Sequence, residues 1–114
     1  MKSVIWTLAV LFAMGITTAT ISCNSASDNV RPKTDTVVID NMEFQPAQLT
    51  IHRGDTVVWI NKGIVEHNVT EDSLETWTSG DINIGETWKM TPEESFHYFC
   101  SIHPTMKGVV SVVE

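Results

Sequence analysis

Basic residues are scarce in this 114-residue sequence: 7 Lys and Arg stand against 14 Asp and Glu, for a formal charge of −7. A nucleic-acid-binding surface needs basic residues to displace counterions, so this balance argues against a nucleic-acid binder. No phosphate-binding Gly-rich loop is present, and the length leaves no room for a dinucleotide-binding unit with a second domain. One small domain is therefore expected, and the hydrophobic fraction of 42% is enough for a packed core.

Cysteines and long apolar runs are also few. Cys23 and Cys100 alone are too few for a disulfide-stapled mini-protein. The apolar run at residues 4–16 is shorter than the about 20 residues that span a bilayer, and it fits the core of a secretory signal. Small residues then lead to Cys23, as in bacterial lipoprotein signals. We expect a signal peptide at residues 1–22 and lipidation of Cys23; an ordinary cleaved signal and an uncleaved anchor are the alternatives.

Residues 23–34 are polar, contain one Pro and have no apolar period, which predicts a flexible tether to a domain at residues 35–114. A lipid on such a tether would place the domain at a membrane surface, on the extracytoplasmic, periplasmic or cell-envelope side.

Short runs rich in Val, Ile, Thr and aromatic residues alternate with turn signals in the predicted domain. The predicted strands are 36–40, 48–52, 55–61, 67–71, 86–90, 96–100 and 108–113. No long stretch has a helical period, so this spacing favours an all-β sandwich or barrel. Alternation predicts that Phe96, Tyr98 and Cys100 share the core-facing side of their strand.

The most informative stretch is residues 100–106, which places the thiol of Cys100, the imidazole of His103 and the thioether of Met106 in one short loop. A second imidazole, His67, opens an earlier predicted strand. Each residue alone has an ordinary structural explanation, such as burial of Cys or gap-filling by Met. Together, two imidazoles and a thiolate with a weak thioether form the donor set of a blue-copper electron-transfer site. We therefore predict one copper ion per chain.

Three other kinds of site would use some of the same residues. A catalytic zinc site keeps a position for water, and the thioether of Met106 argues against it. A Cys100–His103 nucleophile pair would need an orienting third group and an oxyanion hole, and no motif indicates either. A binuclear copper centre would need a second Cys in the loop.

At these residues the sequence resembles the cupredoxins, the blue copper family of plastocyanin, pseudoazurin and amicyanin. The short gap between His103 and Met106, followed by Lys-Gly-Val-Val, is most similar to amicyanin, and residues 42–46 and 54–61 match earlier strands of the family. The resemblance implies a Greek-key β-sandwich with copper at one end. It also implies three equatorial ligands and one axial ligand, namely His67, Cys100 and His103, with Met106 axial.

The resemblance further implies residues that tune the metal from behind its ligands. Asn68 matches the family residue whose backbone N–H points at the Cys sulfur and whose side chain ties two loops together, with Ser101 as its partner. Ile102 replaces a Pro that is frequent in relatives, and its N–H could donate a second hydrogen bond to the thiolate, favouring Cu(I). Glu66 replaces a Pro before the first His, and its carboxylate would favour Cu(II). The two replacements act on the reduction potential in opposite directions, so they do not predict its value.

These features predict a monomeric one-electron carrier, without enzymatic activity of its own, that serves redox proteins such as cytochromes or oxidoreductases. The alternative is an extracytoplasmic copper-binding protein for copper buffering or delivery. A small copper reductase would need a second copper site, for which only His52 and His97 remain, and both are expected to face solvent.

Two surfaces are candidates for partner docking. Ile102, Pro104 and Thr105 are predicted to form a small apolar patch around the exposed edge of His103. An acidic cluster follows the His67 strand, either as a solvated loop or as a docking surface for a basic partner. Its members are Glu66, Glu71, Asp72 and Glu75.

Overall fold

The computed structural model of the chain describes residue 19 and residues 31–114. Eight strands run along the second range: β1 Thr34–Asp40, β2 Glu43–Gln45, β3 Gln48–His52, β4 Thr56–Asn61, β5 Thr70–Glu71, β6 Thr87–Met90, β7 Phe96–Cys100 and β8 His103–Val113. Among these described residues there is no helix, and so none with the length and hydropathy to cross a membrane. The predicted signal peptide and Cys23 lie outside the described residues, apart from Ala19.

The strands form two four-stranded sheets, in the orders β2-β1-β4-β6 and β3-β8-β7-β5. The pairs β1–β4 and β3–β8 are parallel, whereas the other neighbouring strands are antiparallel. Parallel partners are far apart in sequence, so the chain crosses between the sheets before returning to them. The predicted all-β sandwich is confirmed.

Alternating burial explains how the strands cover a common core. Val57 and Trp59 of β4 are fully buried, while the residues between and after them are half-buried. In β7 the predicted inward face is confirmed, because Tyr98 and Cys100 are buried and Phe96 packs partly buried against the core, whereas His97, between Phe96 and Tyr98, is exposed. Burial of apolar area at about 25 cal/mol per Å² is the main favourable contribution of such a core.

Two hairpins account for strands that differ from the predicted ones. β2 is absent from the strands predicted by the alternating pattern, although it falls within residues 42–46, which match an earlier strand of the family. It follows a two-residue turn in which Asn41 and Met42 both have positive φ, the geometry of a tight hairpin. β8 begins at His103 rather than at residue 108, since Cys100 pairs directly with His103 across another tight turn.

The predicted strand at residues 67–71 is shorter in the structure, where only β5 remains, because the backbone N–H groups before it bond to side chains and not to a neighbouring strand. Asn68 N–H donates to the sulfur of Cys100 and Val69 N–H donates to Ser79 Oγ. Only Thr70 and Glu71 pair with β7. The loop that leads into β5 therefore stays irregular, at the same end of the sandwich as the turn between β7 and β8.

Candidate metal centre

The β7–β8 hairpin places two candidate ligands side by side. Cys100 ends β7, His103 begins β8, and the two are register partners across a turn made of Ser101 and Ile102. A two-residue hairpin loop brings its flanking residues opposite each other. The C-x2-H spacing of the sequence is thus the spacing of a tight hairpin.

His67 reaches the hairpin from an irregular segment between β4 and β5. Its backbone is held by a two-way bridge to Ile82: His67 N–H donates to the Ile82 carbonyl at 3.3 Å, and Ile82 N–H donates to the His67 carbonyl at 2.7 Å. The side chain is 1% exposed. This ligand therefore depends on contacts that are distant in sequence.

Three side-chain atoms converge at this end of the sandwich. Cys100 Sγ lies 3.6 Å from His103 Nδ1 and 3.9 Å from His67 Nδ1, and the two nitrogens are 3.1 Å apart. An ion about 2.0–2.1 Å from nitrogen and about 2.3 Å from sulfur, values typical of zinc, would separate trigonal ligand atoms by roughly 3.5–3.8 Å. The two sulfur–nitrogen separations of 3.6 and 3.9 Å lie in or close to this range, and the nitrogen–nitrogen separation of 3.1 Å is shorter, so the three atoms surround a space for one small ion.

Met106, the fourth predicted ligand, belongs to the same hairpin. It lies three residues after His103 in β8, is 2% exposed and belongs to the hydrophobic core. His67, Cys100 and His103 form the one cluster of potential His, Cys or carboxylate ligands among the described residues. His52 and His97 are exposed on β3 and β7, as predicted.

Hydrogen bonds surround the thiolate side of the site. Asn68 N–H donates to Cys100 Sγ at 3.4 Å. The Asn68 side chain donates to Ser101 Oγ at 2.8 Å and accepts from Ser101 N–H at 2.9 Å, so it joins the two ligand-bearing segments. Ile102 is 46% exposed, and within residues 31–114 its N–H makes no hydrogen bond to Cys100 Sγ. Among the described residues, the backbone donor to this sulfur is therefore Asn68.

Burial favours the neutral form of the first imidazole. Desolvation, followed by the charge of His103, lowers the pKa of His67 below its ordinary value. Metal ions bind the neutral imidazole, so this environment suits a ligand rather than a surface charge.

A residue that the sequence did not single out supports the loop before His67. Asn61, at the end of β4, is fully buried. Its amide donates to the carbonyls of Val65 and Ile82, at 2.8 and 2.9 Å, and accepts from Gly63 N–H at 2.9 Å. A Cβ on Gly63 would lie 3.2 Å from Asn61 Oδ1 and 3.5 Å from His67 Nε2. In the sequence, the one sign of this role is that Asn61 is a polar residue at the end of an apolar strand.

The surface around the site is largely apolar. His103 is half-buried, and Ile102, Pro104 and Thr105 are exposed beside it in sequence. A cavity of about 360 Å³ adjoins His67, and Met42, Ile64 and Val65 are among the residues that line it. Exposed apolar side chains also occur in the loops on the His67 side: Met42, Ile64, Val65 and Ile84.

The acidic cluster differs from prediction at one residue. Glu71 is buried rather than solvated, and its carboxylate accepts hydrogen bonds from Ser73, Leu74 and Thr76. These bonds, led by that of the Ser73 hydroxyl, lower the pKa of Glu71 to about 2. Glu71 organises its own loop, whereas Glu66 and Glu75 are exposed.

Comparison with known proteins decides the family. The model of copper-binding proteins of the plastocyanin/azurin family matches residues 30–113. The chain belongs to this family. Amicyanin of Paracoccus versutus is 31% identical over 121 residues, covering 90% of the chain and 88% of amicyanin. The predicted resemblance to cupredoxins, and to amicyanin among them, is confirmed, and the cofactor of this cupredoxin is copper.

Solved structures share the fold of this cupredoxin. A purple cupredoxin from Nitrosopumilus maritimus superposes with a TM-score of 0.63 at 28% identity, over 68% of the chain and 98% of that protein. The copper-containing nitrite reductase of Thermus scotoductus gives a TM-score of 0.67 at 26% identity, over 75% of the chain. That match covers 23% of the reductase, so the cupredoxin corresponds to one part of a larger enzyme.

Proposed function

We propose that this cupredoxin is a mononuclear type 1 copper protein that shuttles one electron at a time between extracytoplasmic redox proteins. The observation that carries the proposal is the convergence of two Nδ1 atoms and one cysteine sulfur from two segments that are tied together by hydrogen bonds. Copper at this position would be held by His67, Cys100 and His103, with Met106 as the weak axial ligand. Bound copper supplies the one-electron couple between Cu(I) and Cu(II).

The residues around the site favour electron transfer over substrate chemistry. Hydrogen bonds between Asn68 and Ser101 hold the two ligand segments in one arrangement, which limits rearrangement between the two copper valences. All four proposed ligands come from the protein, which leaves no position for a reacting water. The half-buried edge of His103, beside Ile102 and Pro104, offers a route for electrons to a docked partner.

The proposed setting follows from the N-terminal sequence. A signal peptide at residues 1–22 would export the chain, lipidation of Cys23 would anchor it, and the residues between Cys23 and β1 would tether a monomeric domain to the membrane. Replacement of Cys23 by Ala should then release the protein from the membrane fraction of cells. Retention of the Cys23→Ala protein in that fraction would contradict the lipid anchor.

A visible spectrum tests the copper assignment. The purified protein with Cu(II) should show an intense band from thiolate-to-copper charge transfer. Cys100→Ser should abolish this band, while replacement of Met106 should keep the colour and shift the reduction potential. A colourless wild-type protein after oxidation and copper loading would overturn the proposal.

Copper buffering or delivery is the second candidate, because it would use the same four ligands. Rapid electron exchange with a c-type cytochrome, measured by stopped flow, favours the carrier. Transfer of copper to an apo-acceptor without redox cycling favours delivery. The buried ligands His67 and Cys100, both almost inaccessible to solvent, support the carrier.

A further inference from the structure

Four aromatic rings form a continuous series of contacts through the sandwich, here called the aromatic chain. Trp77 stacks on Trp88 with ring centroids 5.9 Å apart, Trp88 lies 5.3 Å from Trp59, and Trp59 meets Tyr98 edge-on at 5.5 Å. Trp59 and Trp88 are direct cross-strand partners in β4 and β6. Contact between Trp59 and Tyr98 then bridges the two sheets.

The inner end of the chain lies close to the metal centre. Tyr98 and Cys100 are two residues apart on the buried face of β7, and their exposed fractions are 1% and 0%. At about 3.4 Å per residue, their Cα atoms are separated by roughly 7 Å of continuous strand. A short covalent path therefore connects Tyr98 with the proposed thiolate ligand.

The outer end of the chain reaches the surface. Trp77 is half-buried and lines an open cavity of about 460 Å³ between the 71–77 loop and residues 90–96. A small solute in this cavity would contact the indole of Trp77. The aromatic chain thus runs from solvent to the metal centre on a path that does not pass through His103.

We propose that the aromatic chain carries an electron from Cu(I) to a small one-electron oxidant that has attacked Trp77. The oxidant takes one electron from the Trp77 indole, which is refilled in turn through Trp88 and Trp59. The last electron comes from Cu(I) by way of Cys100, leaving Cu(II), the reduced oxidant and intact indoles. No bond forms or breaks and no proton leaves, so one electron balances each event. The inference rests on the copper site of the proposed function.

The polar atoms of the inner rings favour transfer over trapping. An oxidised indole becomes a long-lived neutral radical when its N–H gives a proton to a neighbour. Within residues 31–114, neither the Trp59 N–H nor the Tyr98 hydroxyl has a hydrogen-bond acceptor outside this pair. Tyr98 therefore has no acceptor for the proton that tyrosine oxidation releases, and it acts as a bridge between Trp59 and Cys100.

The test uses the full chain with Trp6→Phe, which leaves Trp59, Trp77 and Trp88 as the only tryptophans. Photogenerated tris(bipyridine)ruthenium(III) serves as the one-electron oxidant. In the Cu(I) protein, the transient tryptophan-radical absorption should decay several-fold faster than in the apoprotein, in step with growth of the Cu(II) band. Equal radical lifetimes in the two proteins would overturn the inference.

Two variants show whether the tryptophans are the route. Trp88→Phe keeps a ring in the middle of the chain but removes its oxidisable indole, so growth of the Cu(II) band should slow several-fold. Phe96→Leu is the matched control, because Phe96 contacts both Trp77 and Tyr98 but is not oxidisable, and it should leave the rate unchanged. An unchanged rate in Trp88→Phe, or equal slowing in both variants, would overturn the inference.

A readout without chain variants covers the case in which Trp88→Phe fails to fold. Peptide mass spectrometry after exposure to the oxidant should find several-fold less oxidation of Trp77 in the Cu(I) protein than in the apoprotein. Equal damage in both would overturn the inference. The Cu(II) band of untreated protein separately tests the copper site, so its absence would mark failure of the proposed function.

Discussion

Three of the four proposed ligands come from residues 100–106 of one hairpin, whereas His67 comes from a loop that is 33 residues away from Cys100 in sequence. The hairpin needs little outside help, because the pairing of Cys100 with His103 is part of its register. The His67 segment has no such register. Its position depends on the bridge to Ile82 and on the buried amide of Asn61.

The comparison teaches that the same metal centre is built by two kinds of constraint. Local hydrogen-bond register sets one side, and long-range side-chain bonds set the other. Asn68 and Ser101 connect the two sides. Changes in the His67 segment should therefore disturb the site from a distance, while changes in the hairpin should act either directly on a ligand or on stability alone.

The largest expected effect is a different response of the two histidine variants to added imidazole. His103→Gly and His67→Gly should both abolish the intense visible band. Added imidazole should restore colour in His103→Gly, because that residue is half-buried at the surface, but not in His67→Gly, whose site is 1% exposed. Titration of each variant with imidazole, followed by visible absorption, measures the difference. Equal recovery in both variants would contradict the comparison.

Removal of the Asn61 amide tests the long-range side. Asn61→Ala leaves the Gly63 N–H and the Val65 and Ile82 carbonyls without their partner, and a buried polar group that loses its partner costs about 1–3 kcal/mol. We expect the free energy of unfolding to fall by about 3 kcal/mol, together with a shifted reduction potential, because the loop before His67 loses its support.

Asn83→Ala is the matched control for Asn61. Asn83 is exposed, and within residues 31–114 its side chain bonds only to Glu86, so its loss should change stability by less than about 0.5 kcal/mol. Chemical denaturation and voltammetry of both variants provide the measurements. An Asn61→Ala protein with wild-type potential would show that the amide stabilises the fold without positioning His67.

The sequence predicts the hairpin side of the site better than the His67 side. Cys100, His103 and Met106 were recognisable because their spacing in the chain is also their spacing in the hairpin. His67 was found through its His-Asn pair and the family resemblance. Asn61 and the Ile82 bridge were missed because their roles arise only when distant segments meet. Glu71 was misjudged for the same reason, since an acidic cluster does not reveal which carboxylate turns inward.

Gly108→Ala tests the hairpin below the ligands. An added Cβ would overlap Cζ and the hydroxyl oxygen of Tyr98, so the buried ring must shift. We expect a loss of about 1–3 kcal/mol, the usual cost of overpacking, with the visible band retained. Combining Gly108→Ala with Tyr98→Phe should recover part of the loss in a double-mutant cycle. Additive losses would place the strain elsewhere.

The smallest expected effect concerns the loop that follows the His67 segment. The pKa of Glu71 is about 2 in the folded protein and 4.5 ordinarily, so between these values the unfolded chain binds more protons. The contribution of Glu71 to stability is therefore complete above about pH 4.5 and is lost as the pH falls toward about 2. The difference in unfolding free energy between wild type and Glu71→Gln should shrink over that interval and stay constant above it.

Urea unfolding of both proteins across this pH range provides the measurement, and Ser73→Ala gives an intermediate case. Ser73 supplies the leading hydrogen bond to the carboxylate, so its removal should weaken the acid dependence without abolishing it. Identical pH profiles for wild type and Glu71→Gln would mean that the loop keeps its shape without the carboxylate. In that case Asn61 and Ile82 would hold the His67 segment in place, and the Glu71 loop after β5 would not contribute.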